Sequence, residues 1–245
     1  MTESSRDGIF AVQRRAQDFD FGRETAAVFD DMLDRSVPFY QEIQRMVAEL
    51  AADFAAPGTN VYDLGCSTCT SFLHLDRILP PEVEVRFVGV DSSSDMLEQA
   101  QTKLRRHGFR HPFELQCRDL GLGVPIENAS VVLLVLTLQF VRPLYRERLI
   151  RSIREGLAPN GCLILVEKVL GESSTFNRLF IDHYYELKKR NGYTDLEIAQ
   201  KREALENVLV PYRLEENKEL LRKSGFSQVD IFFKWYNFCA ILAMQ

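Results

Sequence analysis

No stretch of about eighteen consecutive apolar residues occurs in the 245-residue chain, so no membrane-spanning helix and no membrane partner are expected. The opening MTESSRDGIFAVQRR lacks the apolar run of a secretory leader, and a cytoplasmic location is the expectation. An excess of basic charge is also missing. The net charge of -5 argues against broad attraction to nucleic acid, so direct tRNA binding is not expected. Repeats, low-complexity tracts and long linkers are absent as well, which points to one domain spanning residues 1–245. Cysteine is present five times, but Cys66 and Cys69 have no second ligand pair at metal-binding spacing, so no metal centre is expected. Solitary, reduced thiols fit the remaining positions.

What the chain does contain is an alternation of elements. Apolar residues recur at helical spacing over 24–36 and 39–54, and Pro57-Gly58 stops the second run. A short strand is expected over 60–64, then a polar loop and a helix over 69–79 closed by Pro80-Pro81. Further strands are expected at 84–90, 113–117, 130–136 and 162–167, separated by helix-length segments; Ser94 is read as the N-cap of the helix holding Met96 and Leu97. The fourth strand is continuously apolar, as a central strand covered on both faces must be. Strands joined by helical crossovers make a doubly wound, mostly parallel α/β sheet. Helices are then expected around Phe176–Leu187, over 195–208 and over 215–224, before strands at 228–235 and 238–244 joined by a short turn. A seven-stranded parallel sheet ending in an antiparallel hairpin resembles the Rossmann-like class I methyltransferase fold. Residues 1–56 are read as a helical cap, with Phe10, Phe19 and Phe21 docking on the body, and residues 169–224 as a helical insertion.

In such sheets ligands sit beyond the carboxyl ends of the strands, beside the first one. Here that place is VYDLGCST, residues 61–68, where Asp63 and Gly65 open the loop and Gly65 permits a close backbone turn. Only one glycine remains of the alternating run usual in nucleotide loops, so the loop alone is a weak signal. Asp91 ends the second strand, where a carboxylate can accept both hydroxyls of a ribose. Asp119 follows the third strand at a level suited to an adenine amino group, with Leu120 beside the ring. Three sites in register point to a nucleotide.

The segments RSVPFY (35–40), VYDLGCS (61–67), IENAS (126–130), TLQF (137–140), EK (167–168), NGYTDLEIAQKR (191–202) and LENV (205–208) resemble those of the carboxy-S-adenosyl-L-methionine synthases. The similarity runs from about Phe19 to the last residue. It implies conversion of S-adenosylmethionine and prephenate to carboxy-S-adenosylmethionine and phenylpyruvate, through carbon dioxide captured by a sulfonium ylide. The product would serve a separate transferase that modifies wobble uridine in tRNA. Carried over position by position, Tyr40 and Arg202 would be the catalytic pair holding the added carboxylate, Arg202 reaching across a homodimer interface formed by the 169–224 insertion. Gly65, Cys66 and Ser67 would line the amino-acid part, Asp91 and Ser92 the ribose, Asp119 and Leu120 the adenine. Two positions depart from the family: Cys69 stands where a loop glycine is usual, and Val135 stands where an Asn would hydrogen-bond the ligand. Lys188, Lys189, Arg190 and Lys201 are read as a solvated helix face. An ordinary methyltransferase and a non-catalytic sulfonium-nucleotide binder remain as alternative readings.

Overall fold

The computed structural model describes residues 6–13, 15 and 17–245. Residues 1–5, 14 and 16 lie outside them, and all but 16 belong to the stretch in which no leader is expected. Two helices open the fold, α1 (Arg23–Ser36) and α2 (Tyr40–Phe54). There follow β1 (Thr59–Leu64), α3 (Thr70–Ile78), β2 (Val85–Asp91), α4 (Ser94–Arg106), β3 (Phe113–Cys117), β4 (Ala129–Val135), α5 (Pro143–Gly156) and β5 (Leu157–Lys168). The chain continues through α6 (Ser174–Arg190), α7 (Asp195–Leu205) and α8 (Leu214–Lys223) into β6 (Gln228–Trp235) and β7 (Phe238–Met244).

All seven strands join one sheet in the order β3-β2-β1-β4-β5-β7-β6. β1 pairs in parallel with both β2 and β4, so the winding reverses at β1 and leaves a crevice beyond its carboxyl end. β7 runs antiparallel between β5 and β6. Alternation divides the core. Val131, Leu133, Ile164 and Val166 face α2, α3 and α4, whereas Val132, Leu134, Leu163 and Leu165 face α5 and α8. β4 is buried along almost its whole length, as its unbroken apolar run requires.

The helices begin and end on recognisable signals. Pro143 occupies the first turn of α5, where its missing N–H costs nothing. Ser93, not Ser94, caps α4: its hydroxyl accepts from the Met96 N–H at 3.2 Å. Asp91 decides between these neighbouring serines, because its carboxylate takes the Ser93 N–H at 2.9 Å and fixes the entry of the helix. α7 starts on a reciprocal Thr194–Glu197 box and stops at Leu205, short of the expected Val208. The N-terminal aromatics do dock on the body: Phe10 stacks with Phe19, Phe19 meets Phe21 edge-on, and Phe21 meets Phe140 at 5.2 Å. Among the described residues no helix is long and apolar enough to cross a membrane.

Candidate functional site

A cavity of about 540 Å³ opens at the carboxyl ends of β1, β2, β4 and β5. Its lining includes Tyr40, Asp63, Gly65, Cys66, Ser67, Asp91, Ser92, Asp119, Leu120, Val135 and Arg202, so every site residue read from the sequence comes together in one place.

The loop after β1 is shaped by backbone strain and stitched by hydrogen bonds. Gly65 has φ +80, and a Cβ there would lie 2.3 Å from Thr137 Cγ2. Only glycine fits both demands. Its N–H and that of Cys66 both donate to Val90 O, at 2.7 and 3.0 Å. Ser67 and Cys69 also take positive φ, 46 and 59, so the loop curls in spite of its missing glycines. Residues held in this region cost energy and cluster where function demands a special shape. Asp91 closes the arrangement: one carboxylate oxygen accepts from Ser67 N and the other from Ser93 N, both at 2.9 Å. Each oxygen keeps a further lone pair for an incoming hydroxyl. Burial raises the Asp91 pKa, and the backbone donors work against that rise.

Asp63 behaves differently. Its carboxyl is buried, Oδ1 has no hydrogen-bond partner, and burial followed by repulsion from Asp91 pushes its pKa up to about 7. An unpartnered buried carboxylate oxygen in a crevice wall is matched by a cationic ligand group. The ammonium and sulfonium of an S-adenosylmethionine supply such charge, and the Gly65 turn, Asp91 and the Asp119–Leu120 edge fit its other parts. Asp119 is pinned by accepting the Gly121 N–H at 2.7 Å, and Leu120 is buried beside it. Cys66 is a buried thiol whose pKa is raised by burial and by the Cys69 thiol to which it hydrogen-bonds.

Tyr40 is buried, with its ionisation made harder first by burial and then by the Asp30 charge. Its hydroxyl interacts with Thr70 and Gln44. Arg202, exposed on α7, lines the cavity. Val135, at the end of β4, presents only methyl groups to the cavity.

Sequence reasoning missed the cationic wall. Lys188 and Lys201, read as solvated, are only 5% and 6% exposed, and both line the cavity together with Lys168. Lys189 and Arg190 are exposed as expected, Lys189 paired with Asp195 at 2.8 Å. The correction has a physical cause. Lys188 stands one helical turn beyond Tyr184, on the stripe that α6 turns inward, and its stem continues that apolar stripe. Lys168 could have been found from its place at the carboxyl end of β5, on the same side of the sheet's rim as Asp91 at the end of β2. Lys201 gave no such signal, since its inward direction depends on how α7 meets α1. Lys201 Nζ bonds Ser36 Oγ at 3.0 Å. Phe19, Phe21 and Phe140 also line the cavity and add an apolar cover. Among the described residues no group of three or more His, Cys, Asp or Glu side chains is arranged to hold a metal.

The comparisons with known proteins agree with this geometry. A family described as "Methyltransferase domain" matches residues 61–161, the stretch from β1 to the first part of β5. The SAM-dependent methyltransferase of Aquifex aeolicus superposes with a TM-score of 0.59 at 13% identity, covering 92% of this chain and 98% of that one. The carboxy-S-adenosyl-L-methionine synthase of Desulfotalea psychrophila is 44% identical over 98% of this chain and 97% of its own length. The protein of the same name from Methylococcus capsulatus is 60% identical over 98% of this chain and all of its own. At that identity over nearly the full length of both, the chain belongs to the carboxy-S-adenosyl-L-methionine synthase family, built on the Rossmann-like class I methyltransferase fold.

Proposed function

We propose that this protein makes carboxy-S-adenosyl-L-methionine from S-adenosyl-L-methionine and prephenate, releasing phenylpyruvate. The observation that carries the reading is one cavity lined both by an acidic nucleotide cradle and by Tyr40, Arg202 and three lysines. A cradle of Asp63 and Asp91 suits a cationic nucleotide, whereas an ordinary methyl transfer gives no reason for so many cations nearby.

In this reaction aromatisation of prephenate frees carbon dioxide and the ring hydroxyl. One methyl proton of the sulfonium nucleotide leaves as water with that hydroxyl, and the methyl carbon bonds to the carbon dioxide. The protein binds and shields. Asp63 faces the positive charge, Asp91 accepts the ribose hydroxyls, and Asp119 with Leu120 holds the adenine. Tyr40 and Arg202 receive the new carboxylate, Arg202 as a permanent planar donor and Tyr40 from a second direction. Phe19, Phe21 and Phe140 exclude the water that would quench a carbanionic methyl group.

The product then supplies a separate transferase acting on wobble uridine in tRNA, in the cytoplasm. The working unit is proposed as a homodimer, supported by Phe176 and Leu179 on α6 and Leu196 on α7, large apolar residues left exposed in the single chain. The test is mass spectrometry of the nucleotide after incubation with S-adenosylmethionine and prephenate. A nucleotide heavier by one carbon dioxide, formed together with phenylpyruvate, is expected. An unchanged nucleotide overturns the synthase reading in favour of an ordinary methyltransferase or a binding protein.

A further inference from the structure

Lys168, Lys188 and Lys201 come from three separate elements, β5, α6 and α7, and meet at one cavity wall. Their surroundings do not neutralise them. Lys201 has Asp7 at 3.9 Å, but among the described residues neither Lys168 nor Lys188 has a carboxylate within ion-pair distance. Glu167, next to Lys168 in sequence, is turned to the far side, where it accepts the Leu138 N–H at 3.0 Å and feels Arg146. Lys188 and Lys168 instead rest against the Tyr184 ring, at 4.5 and 5.0 Å from its centroid. A ring face offsets only part of the loss of water around an ammonium. Two uncompensated ammonium groups in a buried wall match a ligand carrying two negative charges.

We propose that Lys168, Lys188 and Lys201 form the seat of a small dicarboxylate co-substrate, with the Tyr184 ring as its apolar wall. This rests on the synthase reading and deepens it by assigning the anion to a place apart from the nucleotide. The topology separates the two: Asp91 and Asp119 lie at the β2 and β3 ends, while Lys168 lies at the end of β5, beyond β1 and β4. Arg202, on the same helix as Lys201, stands next to this seat, so the product carboxylate and the incoming anion share one positive region. The electrostatics agree with an anion site. Burial lowers the Lys168 and Lys201 pKa values to about 8, and burial together with its two lysine neighbours lowers that of Lys188 as well. A dianion reverses that penalty by restoring charge to the wall.

The test uses calorimetric titration of the full chain loaded with S-adenosylhomocysteine, which carries no methyl group to react. Prephenate is expected to bind, and the monocarboxylate phenylpyruvate to bind more weakly. Lys188→Met should weaken prephenate by roughly ten- to a hundredfold, the worth of a charge-assisted contact, with nucleotide affinity unchanged. Its melting temperature without ligands should hold or rise, since a buried like charge is removed; a lysine kept for structure would lower it. If that variant fails to fold, Lys168→Met gives the same comparison. Unchanged prephenate affinity in the folded variant, or an equal loss for nucleotide and prephenate, overturns the seat. The two readings fail separately. Prephenate binding at the lysines without formation of carboxy-S-adenosylmethionine keeps the seat and removes the synthase. Formation of the product with the lysines dispensable keeps the synthase and removes the seat.

Discussion

The two ends of the cavity are built by opposite means. The nucleotide end is assembled from strand tips and the turns leaving them: Asp63 on β1, Asp91 on β2, and Asp119 just past β3. Its charges are negative, its backbone turns left-handed at Gly65 and, under strain, at Ser67 and Cys69, and Asp91 ties the loop to α4 through two backbone N–H groups. The anion end is assembled mostly from helices inserted after β5. Its charges are positive, its groups are long side chains, and the backbone near Lys188 and Lys201 is ordinary helix. One end achieves precision through a rigid turn, the other through burial of flexible lysines against Tyr184 and Ser36. On the proposed reading a cation and an anion bound side by side would meet walls of opposite sign, which would orient both before any bond changes.

The comparison is broken most sharply at Asp91. Asp91→Ala removes the proposed acceptors of two ribose hydroxyls and also the bonds that hold Ser67 and Ser93. Affinity for S-adenosylmethionine should fall by at least ten- to a hundredfold, since hydrogen bonds to a charged group contribute about 1.5–3 kcal/mol. Calorimetric titration checks this, with circular dichroism to show that the fold is kept; unchanged affinity removes Asp91 from the nucleotide end.

Arg202→Ala addresses the boundary between the two ends. Loss should fall on carboxy-S-adenosylmethionine, by roughly ten- to a hundredfold, and hardly touch the unmodified nucleotide. Competition binding with both ligands reads the difference. A wild type that binds the two equally would show that Tyr40 and Arg202 recognise no carboxylate. Light scattering on the same samples settles whether the subunits pair.

A smaller effect sharpens the acid end. The folded Asp63 carboxyl titrates at about 7, above the ordinary 3.8, so the native state holds a proton there that the unfolded chain has lost. Stability from this group therefore declines as pH rises from about 4 to 7. Ligand binding runs the other way: a cationic nucleotide favours the ionised carboxylate, and its affinity should grow as pH passes 7. Asp63→Asn should flatten both trends, the difference between wild type and variant isolating Asp63 from Glu167, whose pKa is also raised. Melting curves and titrations across pH 5 to 8 measure them, and parallel profiles in the two proteins would exclude the assignment.

The legibility of the two ends in the sequence differs for the same reasons. Strand tips at the switch point follow from sheet topology, so Asp63, Gly65, Asp91 and Asp119 were placed by counting strands. The seven strands and the closing hairpin were also readable, because a period of two and unbroken apolar runs leave little choice. Local details were harder. Ser93 and Ser94 are equivalent as sequence, and Asp91 chooses between them only in the fold. Tyr40, Ser92 and Arg202 came through resemblance to a family, not through any pattern of their own. Lys188 and Lys201 were misread because charge on a helix is normally solvated, and only packing against α1 and the cavity turns them inward.

The position of β7 has a consequence for how the two ends come into being. This strand follows β6 in the chain, yet it slots between β5 and β6, placing Phe238 opposite Lys168. A nascent chain on the ribosome can pair β1 to β5 and form the nucleotide turn while the far edge of β5 is still open to other strands. Lys168, the strand-borne member of the lysine wall, gains its β7 neighbour only when Phe238–Met244 emerges and intercalates. Maturation thus has a direction: the turn at the tip of β1 can form before β7 covers the edge of β5.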